Sequence, residues 1–272
     1  MIRRLVTLLC VLILVSSTVC AQDSGWFERS ERNKEEQPHW ITPLATTTPR
    51  LEQEFRYDIV WQELGDGRNV TNFGNGKGLE LIPFDRTEVI FGLPPYLSRN
   101  FGPTTPDGLG DFSWLVKYRF TSANEREGNY ILSVFLGGSF PTGSYRNGAE
   151  HATFTPTFAY GKGWGGLDIQ GTFGITLPVA DLSAIGTPVT WNNAFQYRIA
   201  KKLWPEVEVN TTLFPNGPRS GNQQVFITPG LVIGRIRLNR RLGLTFGGGV
   251  QIAATHFHTS NHSAIFSVRL PF

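Results

Sequence analysis

Along most of the chain, apolar and polar side chains take turns, the period-2 signature of strands whose two faces meet different surroundings. Residues 111–120 set Phe112, Trp114, Val116, Tyr118 and Phe120 against Asp111, Ser113, Leu115, Lys117 and Arg119. Residues 166–177 carry the longest strict run, with Leu167, Ile169, Phe173, Ile175 and Leu177 opposite Asp168, Gln170, Thr172 and Thr176. The same code marks 51–61, 129–137, 153–161, 189–199, 204–213, 225–234, 241–254 and 263–272, with two shorter and less regular strands at 78–83 and 87–93, twelve predicted strands in all.

The two faces differ in charge. From residue 111 onward no position on the apolar parity is charged, whereas the opposite parity holds Asp111, Lys117, Arg119, Asp168, Gln170, Arg198, Glu206, Glu208, Arg241 and Arg269, of which only Gln170 is neutral. An Arg or Lys facing lipid at mid-bilayer costs ~2–4 kcal/mol, which gives one face a reason to be purged. The polar face is mixed, since Leu115, Phe135, Trp204 and Phe226 also lie on it. Links after 153–161, 189–199 and 225–234 are short, and those after 129–137, 166–177, 204–213 and 241–254 are long and rich in Gly, Pro, Asn and Ser. Short turns at one end and long loops at the other predict an all-β fold, a single antiparallel transmembrane β-barrel of about 12 strands over residues 51–272. Tyr160, Trp164, Tyr197 and Trp204 flank the short turns, where an interfacial aromatic girdle is expected.

The N-terminus sets the compartment. Arg3 and Arg4 precede an apolar run over 5–15, then small residues and Val19-Cys20-Ala21, the pattern of a secretory signal over 1–21 cleaved after Ala21. Both cysteines, Cys10 and Cys20, fall within it, so the remainder holds neither a disulfide nor a cysteine metal site. Residues 22–50 form a polar arm crowded with Glu28, Arg29, Glu31, Arg32, Lys34, Glu35 and Glu36. The arm has no strand period and only a weak hint of a short helix; it either hangs in the periplasm or tucks into the barrel as a plug. The net charge of +3 includes Arg3 and Arg4, and no basic tract points to nucleic acid. No stretch after the signal is apolar enough for a membrane helix, which leaves the closed barrel as the way to satisfy every backbone group in lipid.

The final segment, 263–272, puts Ala264, Phe266, Val268, Leu270 and Phe272 on one face. It resembles the closing strand of bacterial outer-membrane barrels, and the resemblance implies delivery to the barrel assembly machinery through the strand ending at Phe272. Thr48-Pro49-Arg50-Leu51-Glu52-Gln53-Glu54, the 108–119 stretch, Gly137-Gly138-Ser139-Phe140-Pro141-Thr142-Gly143 and the whole of 164–215 resemble the meta-pathway phenol degradation family of outer-membrane proteins. That resemblance covers roughly residues 45–272; it implies a barrel and suggests transport, and it brings no set of functional residues with it.

Candidate chemistry is sparse. His256 and His258 could share a strand face and hold a metal with His262, and His258-Thr259-Ser260-Asn261 looks like part of an outer-membrane phospholipase motif, though the Ser- and Arg-rich continuation is absent. A polar surface loop explains them more simply, and no catalytic, metal or cofactor site is assigned. Gly247-Gly248-Gly249 follows strand residues and reads as relief of crowding, not as a phosphate loop. Lys117, Arg119, Asp168, Gln170, Arg198, Glu206, Glu208, Arg241 and Arg269 are the expected lumen lining, where mixed charges either tune solute passage or pair to hold the interior together. The expected protein is therefore a non-enzymatic barrel in the outer membrane of a Gram-negative bacterium, surrounded by lipid. It would give passive passage to small hydrophobic or aromatic molecules; the alternatives are a lipid-acting enzyme or a non-conducting structural or adhesive barrel.

Overall fold

The computed structural model describes residues 23–101 and 106–272. The signal sequence expected over 1–21, with both cysteines, lies outside them. A helix, α1 (Asp23–Glu35), is followed by an irregular stretch and then by strands β1 (Glu54–Gly65), β2 (Arg68–Gly74), β3 (Gly78–Phe84), β4 (Thr87–Gly92), β5 (Tyr96–Asn100) and β6 (Gly108–Leu109). The long strands β7 (Phe112–Ala123), β8 (Tyr130–Phe140), β9 (Thr153–Trp164) and β10 (Leu167–Ile175) come next, then the short β11 (Leu177–Pro178) and the single-turn α2 (Leu182–Ile185). The chain finishes with β12 (Val189–Tyr197), β13 (Leu203–Leu213), β14 (Gln223–Arg237), β15 (Gly243–Ala253) and β16 (His262–Pro271).

Every neighbouring pair is antiparallel, and β16 returns to β1 from Glu54↔Pro271 to Glu63↔His262, closing a barrel of 12 strands as the alternation predicted. Closure leaves no unpaired edge, the condition for a sheet to sit in lipid. Three of the extra short strands arise because the second, third and fourth staves of the wall are each broken in two, and the remaining one, β11, continues the β10 stave against β9. The far half of β1 pairs with β2, while its first residues, Glu54 and Phe55, pair with β3. Gly74, Asn75 and Gly76 all adopt positive φ between β2 and β3 (96°, 48° and 65°), and Pro94-Pro95, without backbone N–H groups, separates β4 from β5. Three backbone bonds stitch the interruption, from Lys77 N to Gly74 O (2.9 Å), Leu93 N to Lys77 O (3.1 Å) and Gly110 N to Pro95 O (2.7 Å).

The outer surface of the wall is apolar along its middle. Tyr118, Phe158, Phe173, Trp191, Val207, Ile227, Val250 and Phe266 are all exposed, and charges on their parity, such as Lys162 on β9 and Glu63 on β1, stand near strand ends. One polar group on this face, the Asn193 amide, is capped by Tyr160, whose hydroxyl donates to Asn193 Oδ1 (2.6 Å) and accepts from Trp191 Nε1 (3.0 Å). The Tyr160 ring reaches across by lying over Gly171 on the intervening strand, and a Cβ there would collide with Tyr160 Cζ. Gly171→Ala therefore displaces the ring and strands the amide in lipid. The expected loss is about 1–3 kcal/mol of stability, read as a lower urea midpoint for unfolding from bilayers; an unchanged midpoint would show that the ring is free to move.

Candidate functional site: the plugged lumen

Residues 36–53, unlike a solvated arm, run inside the barrel. They enter at the short-turn end, rise to mid-wall and return by the same end. An irregular segment buried this way cannot satisfy its own backbone polar groups, so each needs a partner from elsewhere. Pro38, Pro43 and Pro49 reduce the demand by removing three donors. Gln37 then clasps the base of the loop, donating from Nε2 to Leu51 O (2.8 Å) and accepting from Leu51 N at Oε1 (2.9 Å).

The wall supplies the rest. At the tip, Glu206 accepts from Leu44 N (3.0 Å), and the two oxygens of Glu208 accept from Ala45 N (2.7 Å) and Thr46 N (2.5 Å). The carbonyls of the same turn face cations. Arg56, held in a fork by Asp58, donates to Leu44 O (2.5 Å) and Pro43 O (3.3 Å). Arg269 donates to Thr42 O and to Pro43 O (2.8 Å). The peptide dipoles of the tip thus lie between anionic β13 and cationic β1 and β16, an arrangement that fixes their direction as well as their position.

Lower down, Lys117 pairs with Glu88 (2.9 Å) and donates to Arg50 O (3.2 Å), Glu88 accepts from Glu52 N (2.6 Å), and Ser133 donates to Pro49 O (2.7 Å). Gln170 joins the two limbs: its Nε2 donates to Ile41 O (2.8 Å) and its Oε1 accepts from Thr48 Oγ1 (2.6 Å). The same Nε2 approaches Asp168 (3.0 Å) and Gln196 (2.8 Å), and Gln196 passes the network to Glu206 (2.5 Å). Arg119 seals the entrance through Asn33 O (2.9 Å) and Glu36 (2.7 Å). Buried ion pairs of this kind contribute little net stability, because desolvation offsets attraction, but they specify one seating.

Apolar contacts hold the plug in depth. Ile41 and Leu44 join Val60, Trp204, Val232 and Ile265 in a buried cluster. Leu44 fits because three inward positions around it lack side chains. A Cβ at Gly230 or Gly247 would lie 2.5 Å from a Leu44 methyl, and one at Gly249 would lie 2.8 Å away. The triple-glycine run thus relieves crowding by the plug. Each buried apolar side chain of this size contributes roughly 1.5–3 kcal/mol.

Of the expected lumen residues, Lys117, Arg119, Asp168, Gln170, Glu206, Glu208 and Arg269 are buried inside the wall. Arg198 and Arg241 are not, and this corrects the expectation. Arg198 follows the end of β12 and Arg241 precedes β15, so both lie exposed on the short-turn rim, with Arg241 stacked 3.8 Å from the Phe27 ring. Arg56, Asp58, Glu88, Arg50 and Glu52 belong to the site and were not singled out from the sequence. Trp204 also turns inward, at 3% exposure, leaving the exposed Trp164 and Tyr197 at the short-turn end.

At the turn after β7, Glu125 accepts from His39 N (2.7 Å) and meets His39 Nδ1 (2.8 Å). Partial burial pushes the Glu125 carboxyl up, but these bonds outweigh it and hold the group below the ordinary carboxylate range. The histidines of the last loop do not converge. His258 bonds Thr255 O (2.9 Å) and Asn261 Oδ1 (2.8 Å), His262 lies 3.9 Å from Glu63, and Ser260 faces Ser263 (3.4 Å). Among the described residues no three His, Cys, Asp or Glu side chains are grouped to hold a metal.

A closed twelve-stranded antiparallel wall with an apolar outer band and a plugged, charged interior defines a membrane β-barrel. The chain belongs to the family described as "Putative MetA-pathway of phenol degradation", whose sequence profile matches residues 57–232. Its fold is shared with an outer membrane channel from Pseudomonas putida F1, at TM-score 0.57 and 12% identity, over 86% of this chain and 100% of that one. The NanC porin is similar at TM-score 0.53 and 10% identity, over 79% of this chain and 98% of the porin. A search of curated proteins by sequence gives no match.

Proposed function

We propose that this barrel stands in a bacterial outer membrane, short turns toward the periplasm, and gives passive passage to small apolar or aromatic molecules. The observation that carries the reading is the plug. Its bonded loop occupies the bore where a general porin keeps a wide aqueous channel. Nearer the long loops the inward positions of β9 to β14 are uncharged, among them Thr155, Thr176, Thr190, Asn192, Thr212 and Phe226, while on the interrupted side Arg99 stands beside Val70. Beside the interrupted part of the wall, a cavity of about 170 Å³ brings plug residues Thr47 and Thr48 together with Ile90, Trp114 and Leu115, and with the charged Arg56, Lys77, Glu80 and Lys117. Such a mixed lining suits a solute with an apolar body and a polar group for the charged side chains to hold. The family description and the channel and porin that share the fold support the same class of role.

Whole cells test it, because the outer membrane is itself the barrier to apolar probes. Expression of the full chain should speed entry of N-phenylnaphthylamine over cells carrying an empty vector and leave entry of a disaccharide unchanged. Equal probe entry in both strains, or selective entry of the sugar, would sink the reading.

A further inference from the structure

Inside the wall, cations meet carboxylates: Arg56 has Asp58 (2.8 Å), Lys117 has Glu88 (2.9 Å) and Arg119 has Glu36 (2.7 Å). At the short-turn mouth the pairing is looser: Arg237, Arg240 and Arg241 share an adjoining cavity with Glu28, Glu31 and Glu35 of α1 but close no ion pair with them. A cavity of about 230 Å³ beneath the plug is lined by Arg50, Arg235, Arg237, Arg240 and Arg241, and Glu52 is the one carboxylate lining it. That carboxylate is already taken by Arg50 at 2.6 Å, with Arg235 at 4.0 Å. Arg235 is further committed to His39 O (3.3 Å) and Trp40 O (2.8 Å). Arg237 donates only to carbonyls of its own turn, Asn239 O (3.0 Å) and Arg240 O (3.5 Å), and Arg241 stacks on Phe27. Among the described residues, neither Arg237, Arg240 nor Arg241 has a carboxylate within 4.0 Å.

Three guanidinium groups crowded about one concave space repel each other, and an anion with several oxygens would satisfy them together. Arginine forks match phosphate geometry in two-bond fashion. Leu242 and Pro271 form an apolar lip on the same cavity. We infer that the short-turn mouth is an oxyanion site for a phosphate or phosphodiester group, formed chiefly by Arg237, Arg240 and Arg241. Because its inner wall is the Arg50–Glu52 pair of the plug and Arg235, which holds two plug carbonyls, an anion bound there touches the base of the plug. The site's chemistry does not depend on what crosses the barrel. The group could come from an anionic lipid headgroup or from a free phosphate in solution.

Both sources can be separated with the full chain refolded in an uncharged detergent. Inorganic phosphate is titrated by calorimetry, and retention of phosphatidylglycerol against phosphatidylcholine is measured by native mass spectrometry. Arg237→Gln/Arg240→Gln removes two exposed guanidiniums, and heat-dependent gel mobility confirms that the variant folds; Arg240→Gln alone serves if it does not. The unaltered chain is expected to bind one of the two phosphates, and the variant to bind it about tenfold more weakly. Preferential phosphatidylglycerol retention that inorganic phosphate fails to compete assigns the site to lipid; calorimetric binding without lipid preference assigns it to a soluble anion. Binding of neither, or binding that the variant leaves unchanged, overturns the inference.

Discussion

Replacing Glu206 and Glu208 together by alanine unlocks the plug and turns a quiet barrel into a noisy, more conductive one. The two carboxylates are the acceptors for three consecutive backbone amides at the plug tip. Hydrogen bonds to charged groups contribute roughly 1.5–3 kcal/mol each, and amides left without acceptors cost a similar amount. Losing three shifts the balance between seated and displaced plug by on the order of a hundredfold or more toward displacement. Leu44 and Ile41 keep some hold through the apolar cluster. The variant should therefore flicker between small and large steps in a planar bilayer, with the large ones matching the steady steps of a chain lacking residues 22–50. Indistinguishable traces from all three proteins would mean that the plug does not limit the bore.

The second large effect tests which face meets lipid, on a single strand. Val207 and Thr212 both lie on β13, but Val207 points outward at 45% exposure and Thr212 points into the barrel. Val207→Arg places a guanidinium against hydrocarbon and is expected to cost ~2–4 kcal/mol of folding free energy in bilayers. Thr212→Arg puts the same group among the hydroxyls and amides of the lumen, where water can reach it, and should cost well under half as much. Urea unfolding in phospholipid vesicles reads both. Equal losses would show that the two faces of the wall are equally dry, and the barrel assignment of this strand would fall.

Where side chains alternate without interruption, the sequence was legible down to the parity of each residue, because lipid on one side penalises every exception. Lys117, Arg119, Asp168, Gln170, Glu206, Glu208 and Arg269 could be chosen for that reason. Arg198 and Arg241 carried the right parity but sat past the last paired residue, where parity no longer decides which surroundings a side chain meets. The broken second to fourth staves were harder. β2 is cut from β3 by Gly74-Asn75-Gly76, β5 from β4 by Pro94-Pro95 and β6 from β7 by Gly110-Asp111, and each fragment is too short to show a period by itself. Glu88 lies in the irregular strand at 87–93, where no clean alternation marked a wet face, and Arg56 and Asp58, although alternation was visible there, gave no sign of their partners. The plug left the least trace. Its order comes from bonds to residues far along the chain, such as Leu44 to Glu206, and no local period records a contact of that range. Its one signal is compositional: Trp40, Ile41, Leu44 and Leu51 are large apolar residues in a segment that a solvated arm would have no use for.

The loop clasped by Gln37 and Leu51 enters and leaves through one mouth. Such a loop is a cork on a folded string, not a thread through a needle. It can be seated after β1 has met β16, or drawn out again, without reopening the wall or passing a chain end through it. Assembly is thereby relieved of an ordering constraint: the wall can close on itself first, hydrated and unblocked, and acquire its stopper as a separate, reversible event from the short-turn side.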